Sequence, residues 1–212
     1  MSLKKFIDHT NLKPTAQKSD IEKLCKEAIE CAFYAVCLNG CHVSLAKKLL
    51  KGSQIKTVAV IGFPLGAMST KSKVFEARDC IENGADEIDM VINIGWLKSK
   101  EFDAVRNEIK AIKEAIGNKP LKVIIETCYL TDIEKEMACN LAVDANADFV
   151  KTSTGFGTGG ASLEDVALMK KVVGDKAKIK ASGGIKTKEA ALKFIELGAS
   201  RIGTSSGPSL IQ

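Results

Sequence analysis

Asp89, Lys151 and Lys180 carry the strongest chemical signal in the chain. Each sits in a short run rich in β-formers, at residues 87–94, 148–152 and 178–181. A lysine amine attacks a carbonyl only when uncharged, and burial beside a second cation favours the uncharged form. Taken singly, a lysine near a strand end is usually a surface residue whose head reaches water. Two on neighbouring strands, with a carboxylate on a third, suit Schiff-base chemistry: one amine as nucleophile, one ammonium to hold its neighbour uncharged, and an acid to move protons. Asp89 as a plain ion-pair partner of either lysine is compatible with that chemistry.

A second signal is an anion cradle. Ser182-Gly183-Gly184-Ile185-Lys186 follows one of these runs, and Gly203-Thr204-Ser205-Ser206-Gly207 follows the last. Glycines let backbone N–H groups approach an anion, and the hydroxyls of Ser205 and Ser206 add donors. Lys186 would add a point charge. Either loop alone reads as a tight turn; the two together favour phosphate. The glycine-rich segment at 155–160 is a weaker signal, for a loop that closes the phosphate site or a flexible lid.

Positioning these groups requires particular elements. Extended runs are predicted at 7–12, 34–38, 56–61, 87–94, 122–126, 148–152, 178–181 and 201–204, separated by helix-length amphipathic segments. That spacing demands parallel pairing, because antiparallel partners need only short turns. The expected fold is α/β: a single-domain (β/α)8 TIM barrel over residues 1–212, with a short N-terminal segment leading in and a truncated last helix. An open doubly wound sheet is less suited, since no Gly-x-Gly-x-x-Gly turn follows the first run. Capping boxes are expected at Ser19-x-x-Glu22 and Thr131-x-x-Glu134, and a further N-cap at Ser162-x-x-Asp165. Period-two alternation puts Ile88, Met90 and Ile92 against the helices, and Asp89, Val91 and Asn93 toward the axis. The same alternation allows Asp8, Thr10, Glu126, Lys151 and Lys180 to converge with Asp89 at one mouth.

Composition excludes several classes. The net charge of +5 comes from lysines dispersed among acids, with only three arginines (Arg78, Arg106 and Arg201), so no nucleic-acid stripe forms. The mild positive field suits a small anion. Seven cysteines without repeated spacing read as reduced thiols of a cytoplasmic protein. Cys37-Leu-Asn-Gly-Cys41-His42 lacks the second ligand pair a metal clip needs, so no metal is expected. No apolar run suggests a signal peptide or a membrane span.

Several segments resemble the deoxyribose-phosphate aldolase family. They are Ile7-Asp8-His9-Thr10-Asn11-Leu12, Val60-Ile61-Gly62-Phe63-Pro64-Leu65-Gly66, Glu87-Ile88-Asp89-Met90-Val91-Ile92-Asn93, Phe149-Val150-Lys151-Thr152-Ser153-Thr154-Gly155 and Lys180-Ala181-Ser182-Gly183-Gly184-Ile185. The resemblance spans about residues 6 to 207 in family order. It implies a cofactor-free aldolase that interconverts 2-deoxy-D-ribose 5-phosphate with acetaldehyde and D-glyceraldehyde 3-phosphate. It implies Lys151 as the Schiff-base residue and Asp89 with Lys180 as proton donor and acceptor. Substrate and phosphate contacts are expected from Asp8, Thr10, Thr152, Gly155, Gly183, Gly184, Lys186, Gly203, Ser205 and Ser206. A homo-oligomer, dimer or tetramer, is also implied. Longer members carry a C-terminal tail, in some ending in a tyrosine that assists proton transfer; this sequence stops at Gln212 without one, so it is either a short-tail member or one in which water and the Asp89/Lys180 pair handle the enamine proton. The rival readings are a Schiff-base aldolase for another phosphorylated sugar, a phosphosugar isomerase needing a carboxylate base and no amine, and a phosphosugar sensor without turnover.

Overall fold

In a computed structural model, which describes residues 2–211, eight parallel strands close into a barrel in chain order. They are β1 (Ile7–Asn11), β2 (Ala35–Asn39), β3 (Lys56–Ile61), β4 (Glu87–Val91), β5 (Leu121–Ile124), β6 (Phe149–Lys151), β7 (Lys178–Ser182) and β8 (Ala199–Thr204). The helices around them are α1 (Lys18–Cys31), α2 (Val43–Leu49), α3 (Thr70–Glu82), α4 (Ile94–Lys98), α5 (Phe102–Ile116), α6 (Asp132–Asp144), α7 (Leu163–Val173), α8 (Lys188–Glu196) and the one-turn α9 (Gly207–Leu210). This is the expected (β/α)8 barrel, with a 3-10 turn over Leu3–Phe6 leading in and a stunted last helix. The termini of the expected domain, Met1 and Gln212, lie outside the described residues.

Local chemistry accounts for most boundaries. Thr131 caps α6 in a reciprocal box with Glu134, and Ser162 caps α7. The box expected at Ser19 and Glu22 forms earlier, between Gln17 and Asp20, because the Asp20 carboxylate accepts the Gln17 backbone N–H at 2.8 Å. Ser19 therefore falls inside the first turn of α1. β4 is shorter than the alternation suggested. Asn93 leaves the strand, and its side chain accepts the Trp96 N–H at 3.1 Å to cap α4, a helix the periodicity did not reveal.

The strands divide two environments. Ile88, Met90, Ile92, Val123, Val150 and Ile179 face outward into the layer shared with the helices, as in α5, which buries Val105, Ile109, Ile112 and Ile116. Inside, Ala35, Cys37, Val58 and Val60 make an apolar cluster on the β2–β3 side. The opposite side of the interior is charged. Register makes that segregation possible: Asp89 lies opposite Lys122, Lys151 opposite Lys180, and Lys180 opposite Arg201.

The end of β4 is braced from behind by a second buried pair. Lys73 Nζ donates to the Val91 carbonyl oxygen and to Glu108 Oε2, both at 2.8 Å, with both side chains fully buried. Burial pushes Lys73 down and Glu108 up from their ordinary values, each toward its neutral form. In front, Gly66 sits directly on the end of the sheet: a Cβ there would lie 1.9 Å from the Ile92 carbonyl oxygen, and its φ is +68°. Gly66→Ala should therefore cost on the order of 3 kcal/mol, from overpacking plus left-handed strain. Gly52→Ala, also at positive φ but with open space around it, should cost about 1 kcal/mol. Urea unfolding of the two variants measures the difference; equal losses would contradict the close seat at Ile92.

Candidate active site

The barrel interior is organised around the Asp89 carboxylate. Its Oδ1 accepts Lys122 Nζ at 2.9 Å; its Oδ2 accepts Lys151 Nζ at 2.8 Å and Lys180 Nζ at 2.9 Å. Lys180 also donates to Asp8 Oδ2 at 2.5 Å, and Asp8 Oδ1 accepts Arg201 Nη1 at 3.0 Å. Arg201 reaches Glu87 at 3.4 Å, and Glu87 pairs with Lys122 at 2.5 Å. Six side chains thus close a ring of alternating sign: Asp89, Lys180, Asp8, Arg201, Glu87 and Lys122. Lys151 hangs on the ring through Asp89 alone.

Burial sets the electrostatics. Desolvation alone would push the Asp89 carboxyl up, but Lys122, Lys151 and Lys180 outweigh it and hold the group well below the usual carboxylate range. Asp8 is lowered in the same way, its burial outweighed chiefly by Lys180 and Arg201. Lys180 is raised above the ordinary lysine value, because Asp8 and Asp89 more than offset its own desolvation. Lys122 is raised too, burial being outweighed mainly by Asp89. Lys180 and Lys122 are therefore fixed ammonium groups. The ring's three carboxylates are balanced by Lys122, Lys180 and Arg201, so its neutrality requires no charge on Lys151.

A cavity of about 480 Å³ opens at the C-terminal end of the strands. Of the residues expected at the mouth, Thr10, Lys151, Gly155, Gly183, Gly184, Gly203 and Ser205 line it. Asp8, Asp89 and Lys180 are fully buried beneath, within the network that contacts Lys151. Among the described residues, Lys151 is the only ring-bound lysine that lines the cavity. Lys180 is admitted by Gly203, where a Cβ would come within 3.1 Å of Lys180 Cε. Thr10 turns its hydroxyl to the Asp8 carbonyl oxygen at 2.9 Å.

Besides those buried beneath it, three residues expected to contact substrate or phosphate do not line the cavity. Thr152 is buried; its hydroxyl donates to the Ser182 carbonyl oxygen at 2.9 Å and accepts the Ser182 N–H at 3.0 Å, tying β6 to β7. Lys186 is exposed, and Ser206 lies just outside at the N-cap of α9. The lysines that do line the cavity besides Lys151 are Lys13 and Lys23.

Glu126 ends up beside the mouth by an unexpected route. β5 stops at Ile124, and Glu126 adopts a left-handed conformation (φ 54°, ψ 68°), which breaks the alternation. Its Oε1 accepts the Thr154 N–H at 3.1 Å, and its Oε2 is hydrogen-bonded to the Thr154 hydroxyl. Among the described residues, no group of three or more His, Cys, Asp or Glu side chains converges as a metal-ligand set; Cys37 is buried and Cys41 exposed.

Comparison with known proteins now decides the family. The model of the DeoC/LacD family aldolases matches residues 3–209. The chain belongs to the DeoC/LacD aldolase family. Family membership makes it an enzyme of the carbon–carbon lyase class, and its relatives agree. It is 59% identical to the deoxyribose-phosphate aldolase of Finegoldia magna over 212 residues, covering 100% of both chains. It is 59% identical to that of Thermococcus gammatolerans, covering 100% of this chain and 96% of the other. A solved deoxyribose phosphate aldolase from Aeropyrum pernix, described as a unique tetramer, superposes with a TM-score of 0.90 at 32% identity, over 99% of this chain and 89% of the other.

Glu87, Lys122 and Arg201 were missed as parts of the site. The period-two phase carried part of the signal: Glu87 shares a face with Asp89, so fixing Asp89 inward places Glu87 inside, whereas Lys122 follows only from the register that sets it opposite Asp89. The acid side of the stability profile tests the network. Asp89 and Asp8 have folded-state values below their unfolded ones, near about 4. Their contribution to stability is therefore present above about pH 4 and lost as pH falls toward the folded values. Urea titrations from about pH 5 down to about pH 2 should show a steep loss in the parent and a flatter one in Asp89→Asn; equal slopes would contradict the arrangement.

Proposed function

We propose that the chain cleaves 2-deoxy-D-ribose 5-phosphate reversibly to acetaldehyde and D-glyceraldehyde 3-phosphate, through a Schiff base on Lys151. The observation that carries this reading is that Lys151 both lines the cavity and touches the buried Asp89. The open-chain aldehyde takes Lys151 Nζ as nucleophile, giving a carbinolamine and, after loss of water, a protonated imine. Asp89, 2.8 Å from that nitrogen, takes up and returns protons there. Acting directly or through water, it also accepts the proton of the hydroxyl beta to the imine carbon as the carbon–carbon bond breaks. Because the resting network keeps Asp89 strongly acidic, it holds such a proton only in passing. Lys180 fixes Asp89 and steadies the charge that develops beside it.

The phosphate is assigned to the end of the cavity lined by Gly183, Gly184, Gly203 and Ser205, with Gly155 closing it. Gly183 and Gly184 have positive φ (92° and 78°), a conformation that turns successive N–H groups toward one side. Anchoring there keeps the reacting carbon in register with Lys151. We further place the enzyme in the cytoplasm as a homo-oligomer acting on a small phosphorylated sugar, with no nucleic acid or membrane partner. All seven thiols are unpaired, and no helix among the described residues is long and apolar enough to cross a membrane. The tetrameric Aeropyrum pernix relative supports the assembly.

Borohydride with deoxyribose 5-phosphate should fix a covalent adduct on the Lys151 peptide, read by mass. Activity without any adduct would sink the Schiff-base reading. Replacement of Lys180 by Leu should lower turnover roughly 10²–10⁴-fold in a folded protein; near-normal turnover would confine Lys180 to structure. Ribose 5-phosphate cleaved as well as deoxyribose 5-phosphate would favour a different sugar.

A further inference from the structure

The proposed reaction needs an acid for the enamine carbon, and the charged ring is poorly suited to supply one. Asp89 is held ionised, and its two oxygens are engaged by three lysine nitrogens. Lys180 is held charged and lies wholly beneath the cavity. Efficient proton donation wants a group whose acidity is near the working pH.

Glu126 and Thr154 offer a different arrangement. Thr154 lines the cavity, three residues beyond Lys151 in the loop that follows β6. Glu126 lies behind it and does not line the cavity, being 2% exposed. The glycine-rich loop covers it: a Cβ at Gly157 would lie 3.4 Å from the Glu126 carboxyl carbon and 2.7 Å from Cys128 Sγ. Burial raises the Glu126 carboxyl above its ordinary value, outweighing the two hydrogen bonds from Thr154 and the charge of Lys151, which favour its ionised form.

Hydrogen-bond accounting at the Thr154 hydroxyl gives the function. A threonine hydroxyl has one donor and two acceptor positions. One acceptor position takes the Phe156 N–H at 3.0 Å. With Glu126 protonated, its O–H fills the second, and the threonine's own hydrogen has to point elsewhere, with the cavity adjoining. With Glu126 ionised, the threonine donates back to the carboxylate. The two states differ by one proton, which leaves or enters the pair through the Thr154 hydroxyl.

We infer that Glu126, acting through the Thr154 hydroxyl, supplies and removes the proton at the enamine carbon; this rests on the Lys151 Schiff-base reading. The enamine carbon takes the hydrogen of Thr154 Oγ1, and its electron pair forms the new C–H bond. Thr154 Oγ1 takes the Glu126 proton in the same relay, leaving a carboxylate. The enamine nitrogen becomes an iminium, which water hydrolyses to acetaldehyde and free Lys151. The reverse sequence abstracts a methyl proton from the acetaldehyde imine.

Exchange of acetaldehyde methyl hydrogens in deuterium oxide reads this step without the sugar. Glu126→Gln keeps the shape and the acceptor for the Thr154 N–H but carries no transferable acid; Thr154→Val removes the hydroxyl, and Thr154→Ser retains it. All three should still be trapped on Lys151 by borohydride with acetaldehyde. Exchange should fall at least about tenfold in Glu126→Gln and Thr154→Val, and stay within about threefold of the parent in Thr154→Ser. Trapped variants that exchange at the parent rate would overturn the relay. So would variants in which only KM for deoxyribose 5-phosphate rises, since that would leave Glu126 as a holder of the loop. Absence of trapping in the parent itself would instead overturn the Schiff base, and the relay with it.

Discussion

The interaction on which the structure depends is the contact of one carboxylate with three lysine side chains inside a closed barrel. Asp89 alone is costly there, and so is each lysine, because an isolated buried charge is worth several kcal/mol of lost hydration. Joined through Asp8, Glu87 and Arg201, they become a ring with a partner on either side of every charge. Removing any member costs each of its two neighbours one of its partners, so the ring is held as a unit. Lys151 is the exception: it touches the ring at one point, and its absence would leave the ring closed.

That asymmetry sorts similar residues into different work. Lys122, Lys151 and Lys180 are all buried lysines on adjacent strands. Two are bridged between acids and cannot move without breaking two contacts. The third is held by a single acid and faces the cavity. Much of the surrounding structure serves this arrangement. Gly203 leaves room for the Lys180 stem, Thr152 ties the two lysine strands together, and Lys73 with Glu108 fixes the end of the strand that carries Asp89. Beyond the ring, Glu126 has the opposite electrostatics, a buried carboxyl pushed toward its protonated form.

The barrel was legible because eight β-rich runs with intervening helix-length segments leave little choice but parallel pairing. The outward face of β4 was equally legible, since Ile88, Met90 and Ile92 alternate with polar or smaller residues. Boundaries failed where a side chain competes with backbone pairing, as at Asn93, and where the backbone turns left-handed, as at Glu126. The lysine pair was visible as residue types on adjacent strands. The ring was not, because closing it needs the pairing register across five strands and the phase of each. Lys186 illustrates the converse: its position in a glycine-rich loop suggested a phosphate contact, but sequence proximity does not give side-chain direction, and it points to solvent.

The central claim is that charge balance in the ring, rather than any one residue, governs the reactivity of Lys151. The most direct measurement is a double-mutant cycle on the single-turnover rate of imine formation, using Lys122→Met, Glu87→Gln and the two combined. Each single change leaves the ring one charge out of balance, and the double restores neutrality while leaving Asp89 with Lys151 and Lys180. The account predicts that the double variant forms imine faster than either single variant. A double variant slowed by the product of the two single effects would contradict it.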